Sequence, residues 1–218
     1  MLSAVAYCHA LLREHLLPGD LAVDATAGNG HDTHFLAQLT GPDGKVFAFD
    51  VQSQAITATG RLLQRQGVPE HCYSLIQDSH ATLAERLPAT AREKLAAVIF
   101  NLGYLPGGDK SVITRAGTTL PAVRTALEFL RPGGLLLLVL YPGHAGGAEE
   151  AQVLRDFASG LPARQWQVTE YRTLNACNAP PSVLAIEKSP FTPSRGHEIQ
   201  AAGAHSAGQS FPASPSLG

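Results

Sequence analysis

Val23-Asp24-Ala25-Thr26-Ala27-Gly28-Asn29-Gly30-His31-Asp32-Thr33 is the stretch from which the fold of this 218-residue chain is read. It follows the apolar residues Leu21 and Ala22 and runs into a helix-like segment that reaches residue 39. An apolar run, a carboxylate, two close glycines and then helical character read as strand, tight turn and helix. Glycine takes positive φ without strain and leaves room for a ligand where a Cβ would intrude. The start of the helix presents unpaired N–H groups to the same place. The stretch therefore predicts a turn against which a nucleotide-like ligand rests.

The spacing is not the dinucleotide pattern G-x-G-x-x-G, because Thr33 stands at the third glycine position. A second acid, Asp50, closes the next apolar run, Val46-Phe47-Ala48-Phe49. It lies about 20 residues past the loop, where βαβ units carry the acid that binds ribose hydroxyls. A plainer reading is a tight turn followed by a strand-ending acid, with no ligand. The joint placement of Asp24, the two glycines and Asp50 favours a nucleoside ligand.

Outward from this centre the chain alternates. Helical character over residues 4–17 stops at Pro18-Gly19. Strands are predicted over residues 21–25, 45–50, 72–77, 95–101, 135–141, 165–173 and 182–187. Helices are predicted over residues 31–39, 53–66, 81–87, 120–130 and 148–161, with a sharp turn at Arg131-Pro132-Gly133-Gly134. Buried apolar strands alternating with helices predict a mostly parallel α/β sheet. The last two strands are joined by a loop too short for a crossover helix, which predicts an antiparallel hairpin at one edge. The polar, glycine-rich segment 103–117 is long for a connection and so predicted to be functional. One domain is expected over residues 1–188, followed by a disordered Ser/Pro/Gly/Ala-rich tail over residues 189–218.

Composition narrows the classes further. A net charge of -2 gives no global basic field, although a local patch suffices for nucleic acid. The three cysteines, Cys8, Cys72 and Cys177, lack metal-ligand spacing, and no metal is expected. An odd cysteine count without a signal-peptide pattern points to a reducing, cytoplasmic setting. The longest apolar run, residues 135–140, is strand length, so no membrane association is expected.

Four blocks occur in order and carry a resemblance. They are the Asp24-to-Thr33 loop, Phe100-Asn101-Leu102-Gly103-Tyr104-Leu105-Pro106-Gly107-Gly108-Asp109-Lys110, Tyr141-Pro142-Gly143-His144 and Asn178-Ala179-Pro180-Pro181. Together they resemble the putative rRNA methylase family of class I S-adenosylmethionine-dependent methyltransferases. Its members include bacterial tRNA 5-aminomethyl-2-thiouridine methyltransferases. The resemblance covers residues 1–188, and its most specific element is the block from Asn101 to Lys110. The family often has Met where this chain has Ala27.

The resemblance implies a Rossmann-like, seven-stranded fold with S-adenosylmethionine as cofactor. Asp24, Thr26, Gly28, Asn29, Gly30, Asp32 and Thr33 would then meet the amino-acid end and sugar of the cofactor. Asp50, helped by Gln52, would accept both ribose hydroxyls. Asp78, Ser79 and His80 would meet the adenine, although His80 could be a plain loop histidine and Ser79 only a helix cap. Asn101-Leu102-Gly103-Tyr104 is similar to the Asn/Asp-Pro-Pro-Tyr/Phe motif of methyltransferases that modify exocyclic amines. Asn101 would also border the cofactor, Leu102 and Gly103 would border the substrate, and Tyr104 would stack on a base. Proton acceptors would come from Asp109, His144 or Tyr104. Lys110 and Arg115 would meet phosphates, and Tyr141, His144, Asn178 and Pro180 would border the substrate. The expected partner is the anticodon stem-loop of a tRNA, with a homodimer as a further expectation. A small-molecule N-methyltransferase and a non-catalytic nucleoside-binding module are the competing readings.

Overall fold

A computed structural model describes residues 1–109, 111–176 and 178–190. Lys110, Cys177 and residues 191–218 lie outside the described residues, and with them nearly all of the expected tail. Seven strands form one sheet: β1 (Leu21–Asp24), β2 (Lys45–Asp50), β3 (Tyr73–Gln77), β4 (Leu95–Asn101), β5 (Leu130–Leu140), β6 (Trp166–Tyr171) and β7 (Ser182–Lys188). The helices are α1 (Ala4–His15), α2 (His31–Thr40), α3 (Ser53–Arg65), α4 (Leu83–Arg86), α5 (Ala116–Phe129) and α6 (Gly147–Ser159).

The sheet order is β3-β2-β1-β4-β5-β7-β6. Strands β1 to β5 pair in parallel, and β7 is antiparallel to both β5 and β6. The strand order reverses between β1 and β4. A crevice opens there at the carboxyl ends of the strands, which is where open α/β sheets bind ligands.

Strand β4 is buried on both faces, as a central parallel strand must be. Its Val98 and Phe100 join Val23, Phe49 and Leu136 in one core, under α5 and α6. Its Ala97 and Ile99 join Ala22, Val46 and Leu137 in the other, under α1 and α2. Helix α1 is capped by Ser3, whose side chain accepts from the Ala6 N–H, and it buries Cys8 and Leu12 against the second core. Among the described residues no helix is long and apolar enough to cross a membrane.

Three sequence expectations shift. Helix α5 begins at Ala116 rather than residue 120, so Pro121 sits inside it. Proline removes one N–H, and its would-be acceptor is the carbonyl of Gly117, an exposed residue that water can satisfy. The Arg131-to-Gly134 turn is the irregular start of β5, where the register with β4 shifts between Leu95 and Ala97. The helix expected at residues 81–87 divides into a tight turn, His80–Thr82, and the short α4.

Candidate active site

A cavity of about 500 Å³ fills the crevice between the ends of β1 and β4. Its walls come from Ala25 to Asn29, His31 and Asp32, from Asp50 to Gln52 and from Asp78 to His80. The remaining walls come from Asn101 to Pro106, Val112 to Thr114, Thr118, Tyr141 and His144. Residues that follow the carboxyl ends of β1, β2, β3, β4 and β5 thus meet, and they include parts of three of the four blocks quoted above, because parallel strands end at one edge.

The glycine turn is built by close approach. Gly28 and Gly30 have φ of +53° and +85°. A Cβ on Gly30 would stand 2.8 Å from Thr59 Cα, a backbone atom of α3 that cannot yield. Gly28 N–H donates to Asp50 Oδ2 at 2.9 Å, and Gln52 N–H donates to Asp50 Oδ1 at 2.9 Å. Asp50 therefore pins the turn, and each oxygen keeps a lone pair for a ligand hydroxyl.

Asp24 differs from its expected role. It is fully buried and absent from the cavity wall. It accepts from Thr26 N–H at 3.1 Å and from Thr33 Oγ1 at 2.6 Å, so it ties the turn to the start of α2 from behind. Gly30 and Thr33 likewise lie behind the wall, because the turn presents Gly28 and Asn29 to the cavity instead. Burial, helped by the charge of Asp32, pushes the Asp24 carboxyl up to about 7, against the hydrogen bonds from Thr33 and Thr26; Asp50 adds to the rise. Its proton is then held more tightly in the folded than in the unfolded chain. Linkage makes this group's contribution to stability fall as pH rises from about 4 to about 7. Asp24→Asn removes the titration. The melting temperature of the ligand-free variant, relative to that of the native chain, should rise between pH 5 and pH 8. Thermal melts across this range check it, and a constant difference would contradict it.

Asp32, 8% exposed, sits on the wall. Its Oδ1 lies 2.7 Å from His9 Nε2 on α1, and its Oδ2 accepts from Asn101 Nδ2 at 3.3 Å. An ionised carboxylate only accepts, so it holds the NH₂ end of the Asn101 amide and leaves Oδ1 as the free acceptor. Asn101 N–H donates to Thr26 Oγ1 at 2.7 Å, which joins the ends of β4 and β1.

On the far wall His80 is buried, with its ring edge-on to Phe100 at 5.6 Å. Burial lowers its pKa, opposed by a hydrogen bond to the Ala25 backbone and by the charge of Asp50. Ser79 accepts from Ala81 N–H at 3.1 Å and so caps the following turn. Asp78 receives Arg86 Nε and Nη2 on Oδ2 and Ser79 N–H on Oδ1, and these hydrogen bonds hold its carboxyl below the usual range. Gln52 lies beside Asp50, and its Oε1 accepts from Gln54 Nε2.

The segment after β4 is pinned at its base. Tyr104 and Ile113 form an antiparallel bridge, and Gly103 N–H donates to Thr114 Oγ1 at 2.9 Å. Thr114 Oγ1 in turn donates to Glu150, a buried carboxylate of α6 that also takes the hydroxyl of Thr119 at 2.6 Å. His144 faces Tyr104 edge-on at 6.3 Å. Its Nδ1 lies 3.1 Å from the Ala145 carbonyl and so carries the proton. In the neutral ring Nε2 is then the lone-pair nitrogen, and it has no hydrogen-bond partner among the described residues. Burial raises the Tyr141 hydroxyl pKa, as do Asp32 and Cys8, and so keeps it a phenol. Leu102 lines the cavity with little exposure, its N–H bonded to Val139 O.

Several expected residues fall off the wall. Asp109 is exposed, and hydrogen bonds from Ser111 hold its carboxyl low, which makes it a poor base. Arg115 is exposed at the start of α5, its backbone turned into the N-cap. Asn178 and Pro180 are not on the wall either; their segment runs beside the next loop, with Ala179 O 3.9 Å from where a Gly143 Cβ would stand. Lys110 lies outside the described residues.

The site also contains residues that sequence reasoning passed over. Val51, half exposed, and Leu105, Val112 and Ile113 give apolar walls suited to a flat ring. Position after the Asp50 strand end could have signalled Val51. His9 and Glu150 had no signal, because their partners stand 23 and 31 to 36 residues away.

The family described as "Putative rRNA methylase" matches residues 46–187. A relative from Arabidopsis thaliana, "tRNA (mnm(5)s(2)U34)-methyltransferase, chloroplastic", is 41% identical over 192 residues, 85% of this chain and 69% of that protein. A solved "putative rRNA-methylase" from Clostridium thermocellum is 37% identical with a TM-score of 0.82, covering 86% of this chain and 98% of that one. A methyltransferase from Streptococcus mutans, solved in complex with SAH, is 37% identical with a TM-score of 0.77, covering 86% of this chain and 99% of that one.

Proposed function

Because the chain belongs to the putative rRNA methylase family, a family of methyltransferases, we propose that it methylates an RNA amine with S-adenosylmethionine: the aminomethyl nitrogen of a wobble uridine in tRNA. The observation that carries the reading is Asn101. It lines the cavity at the end of β4, and because Asp32 holds its NH₂, the side-chain oxygen is the end left to accept from a substrate amine. The same end of the sheet carries the Asp50-pinned glycine turn.

The residues fit S-adenosylmethionine. Asp24, Asp32 and Asp50 crowd one place, and burial of Asp24 beside Asp32 resists further negative charge. A ligand with an ammonium and a sulfonium complements them, and its ribose diol matches the free lone pairs of Asp50. When bound, S-adenosylmethionine supplies an electrophilic methyl group.

The chain's own residues then have three tasks. Asn101 Oδ1 and the Leu102 carbonyl accept from the amine and aim its lone pair. A free alkylammonium has a pKa near that of lysine, about 10, and lacks a lone pair. Leu102, Leu105, Val112 and Ile113 make an apolar surround that favours the neutral amine by desolvation. His144 and Tyr104 on the wall are the acceptors for the proton; the Ala145 carbonyl sets the His144 tautomer, and its buried Nε2 is reached when the ring turns toward the cavity. Positioning supplies most of the rate.

RNA as the carrier of the amine has support outside the cavity. A second hollow of about 310 Å³ is lined by Asn29, His31, Ala58, Leu62, Arg61 and Arg65, and it shares Asn29 and His31 with the first. No carboxylate lines it, so it suits a backbone phosphate next to a base that has entered the cavity. Anticodon bases are unpaired and can be splayed out, with Tyr104, 45% exposed at the rim, as a stacking platform. The relative that modifies tRNA at mnm5s2U34 supports that substrate over a free amine.

The test is methyl transfer from labelled S-adenosylmethionine to tRNA whose wobble base lacks the terminal methyl, followed by nucleoside mass spectrometry. A new methylaminomethyl-2-thiouridine peak is expected. No product, with S-adenosylmethionine bound, would contradict the reading.

A further inference from the structure

His9 lies outside the cavity wall, on a helix that contributes nothing else to the site. Its ring stacks on Phe35 of α2 at 3.8 Å, with the planes 8° apart. This stack aims Nε2 at Asp32 Oδ1, 2.7 Å away. The other Asp32 oxygen receives Asn101 Nδ2 at 3.3 Å. The three side chains form one line from the α1–α2 interface to the reacting end of β4.

We infer that His9 is a positioning residue for methyl transfer: it fixes the Asp32 carboxylate, which fixes which end of the Asn101 amide meets the substrate amine. The inference rests on the amine-positioning reading of Asn101 given above. The physical need is specific. The two ends of an Asn amide have nearly the same shape but opposite polarity. Flipped, Asn101 would present its NH₂ to an amine that also carries donors, and the lone pair would lose its aim. Only an acceptor fixed behind the amide prevents the flip. Asp32 is such an acceptor only while its own plane is held. It stands in the first turn of α2, and His9 is the partner that occupies its second oxygen. His9 cannot touch the reacting atoms, since it has no surface on the cavity.

Two substitutions separate positioning from packing. His9→Phe keeps an aromatic ring on Phe35 but has no N–H for Asp32. His9→Gln gives up the stack but keeps a donor. Single-turnover methyl transfer should fall about 10- to 100-fold in His9→Phe, the loss expected when a reacting group is displaced by up to ~1 Å. S-adenosylmethionine affinity and melting temperature should stay close to the native values, and His9→Gln should recover most of the rate. In the double variant with Asn101→Ala, His9→Phe should cause no further loss, because both act through one line.

A readout without turnover is the ¹⁵N-labelled side-chain amide of Asn101, identified by its disappearance in Asn101→Ala. It should exchange slowly in the native chain and in His9→Gln, and rapidly in His9→Phe. A native rate and unchanged amide exchange in His9→Phe would overturn the inference, as would losses that multiply in the double variant. If Asn101→Ala itself kept its rate, the amine-positioning reading would fall first, and His9 with it. An inactive Asn101→Ala beside a fully active His9→Phe would remove His9 alone.

Discussion

Asn101→Ala should lower single-turnover methyl transfer about 1,000-fold while S-adenosylmethionine affinity changes by no more than about threefold. The substitution removes the oxygen that accepts from the amine. It leaves intact the bond from the Asn101 backbone N–H to the Thr26 side-chain Oγ1, which does not involve the Asn101 side chain and holds the ends of β4 and β1 together. The glycine turn and Asp50, which carry the cofactor reading, do not depend on the side chain. The expected pattern is therefore a lost rate at saturating S-adenosylmethionine with a folded, ligand-competent protein. Rapid-quench kinetics beside calorimetry read both quantities. A native single-turnover rate would remove Asn101 from the reaction. A large fall in affinity would instead place its side chain against the cofactor alone.

Asp50→Ala should give the converse. Two backbone N–H groups, of Gly28 and Gln52, lose their carboxylate, and a ligand diol loses its acceptor. A hydrogen bond to a charged group contributes about 1.5–3 kcal/mol, so losing the diol contacts should weaken S-adenosylmethionine binding about 100- to 1,000-fold. Release of Gly28, held at φ +53°, adds a loop-ordering cost to the same number. The rate at saturation should recover to within about tenfold, because the amine side of the cavity, Asn101 and His144, is untouched. Titration calorimetry measures the first quantity, and turnover at raised S-adenosylmethionine the second. Near-native affinity would take Asp50 out of the cofactor site. A rate that stays low at saturation would show that the turn also shapes the reacting end of β4.

The alternation of apolar runs and helical segments was enough to place seven strands and the crevice. Right-handed connections leave few ways to arrange such a chain, and they bring every strand's carboxyl end to one edge. Asp50, Asn101 and Tyr141 could be placed at that edge from sequence because each stands at or just past the end of a strand. The same logic placed Asp24 there but not its direction. Side chains alternate across a sheet, and Asp24 points behind the turn into Thr26 and Thr33 while Asp50 points under Gly28. Loop residues were least legible. Asp109 and Arg115 share a segment with Tyr104, yet only Tyr104 reaches the cavity, because the bridge to Ile113 and the bonds of Thr114 to Gly103 and Glu150 decide the course of the loop. His9 had no sequence signal at all. Periodicity marks α1 as an amphipathic helix, and one histidine on it carries no meaning until α2 stacks beside it. Local patterning thus determined the fold and the edge where chemistry occurs. Only the tertiary structure decided which groups point into the cavity and which hold those groups in place, because many of those choices are made by contacts 22 to 75 residues apart.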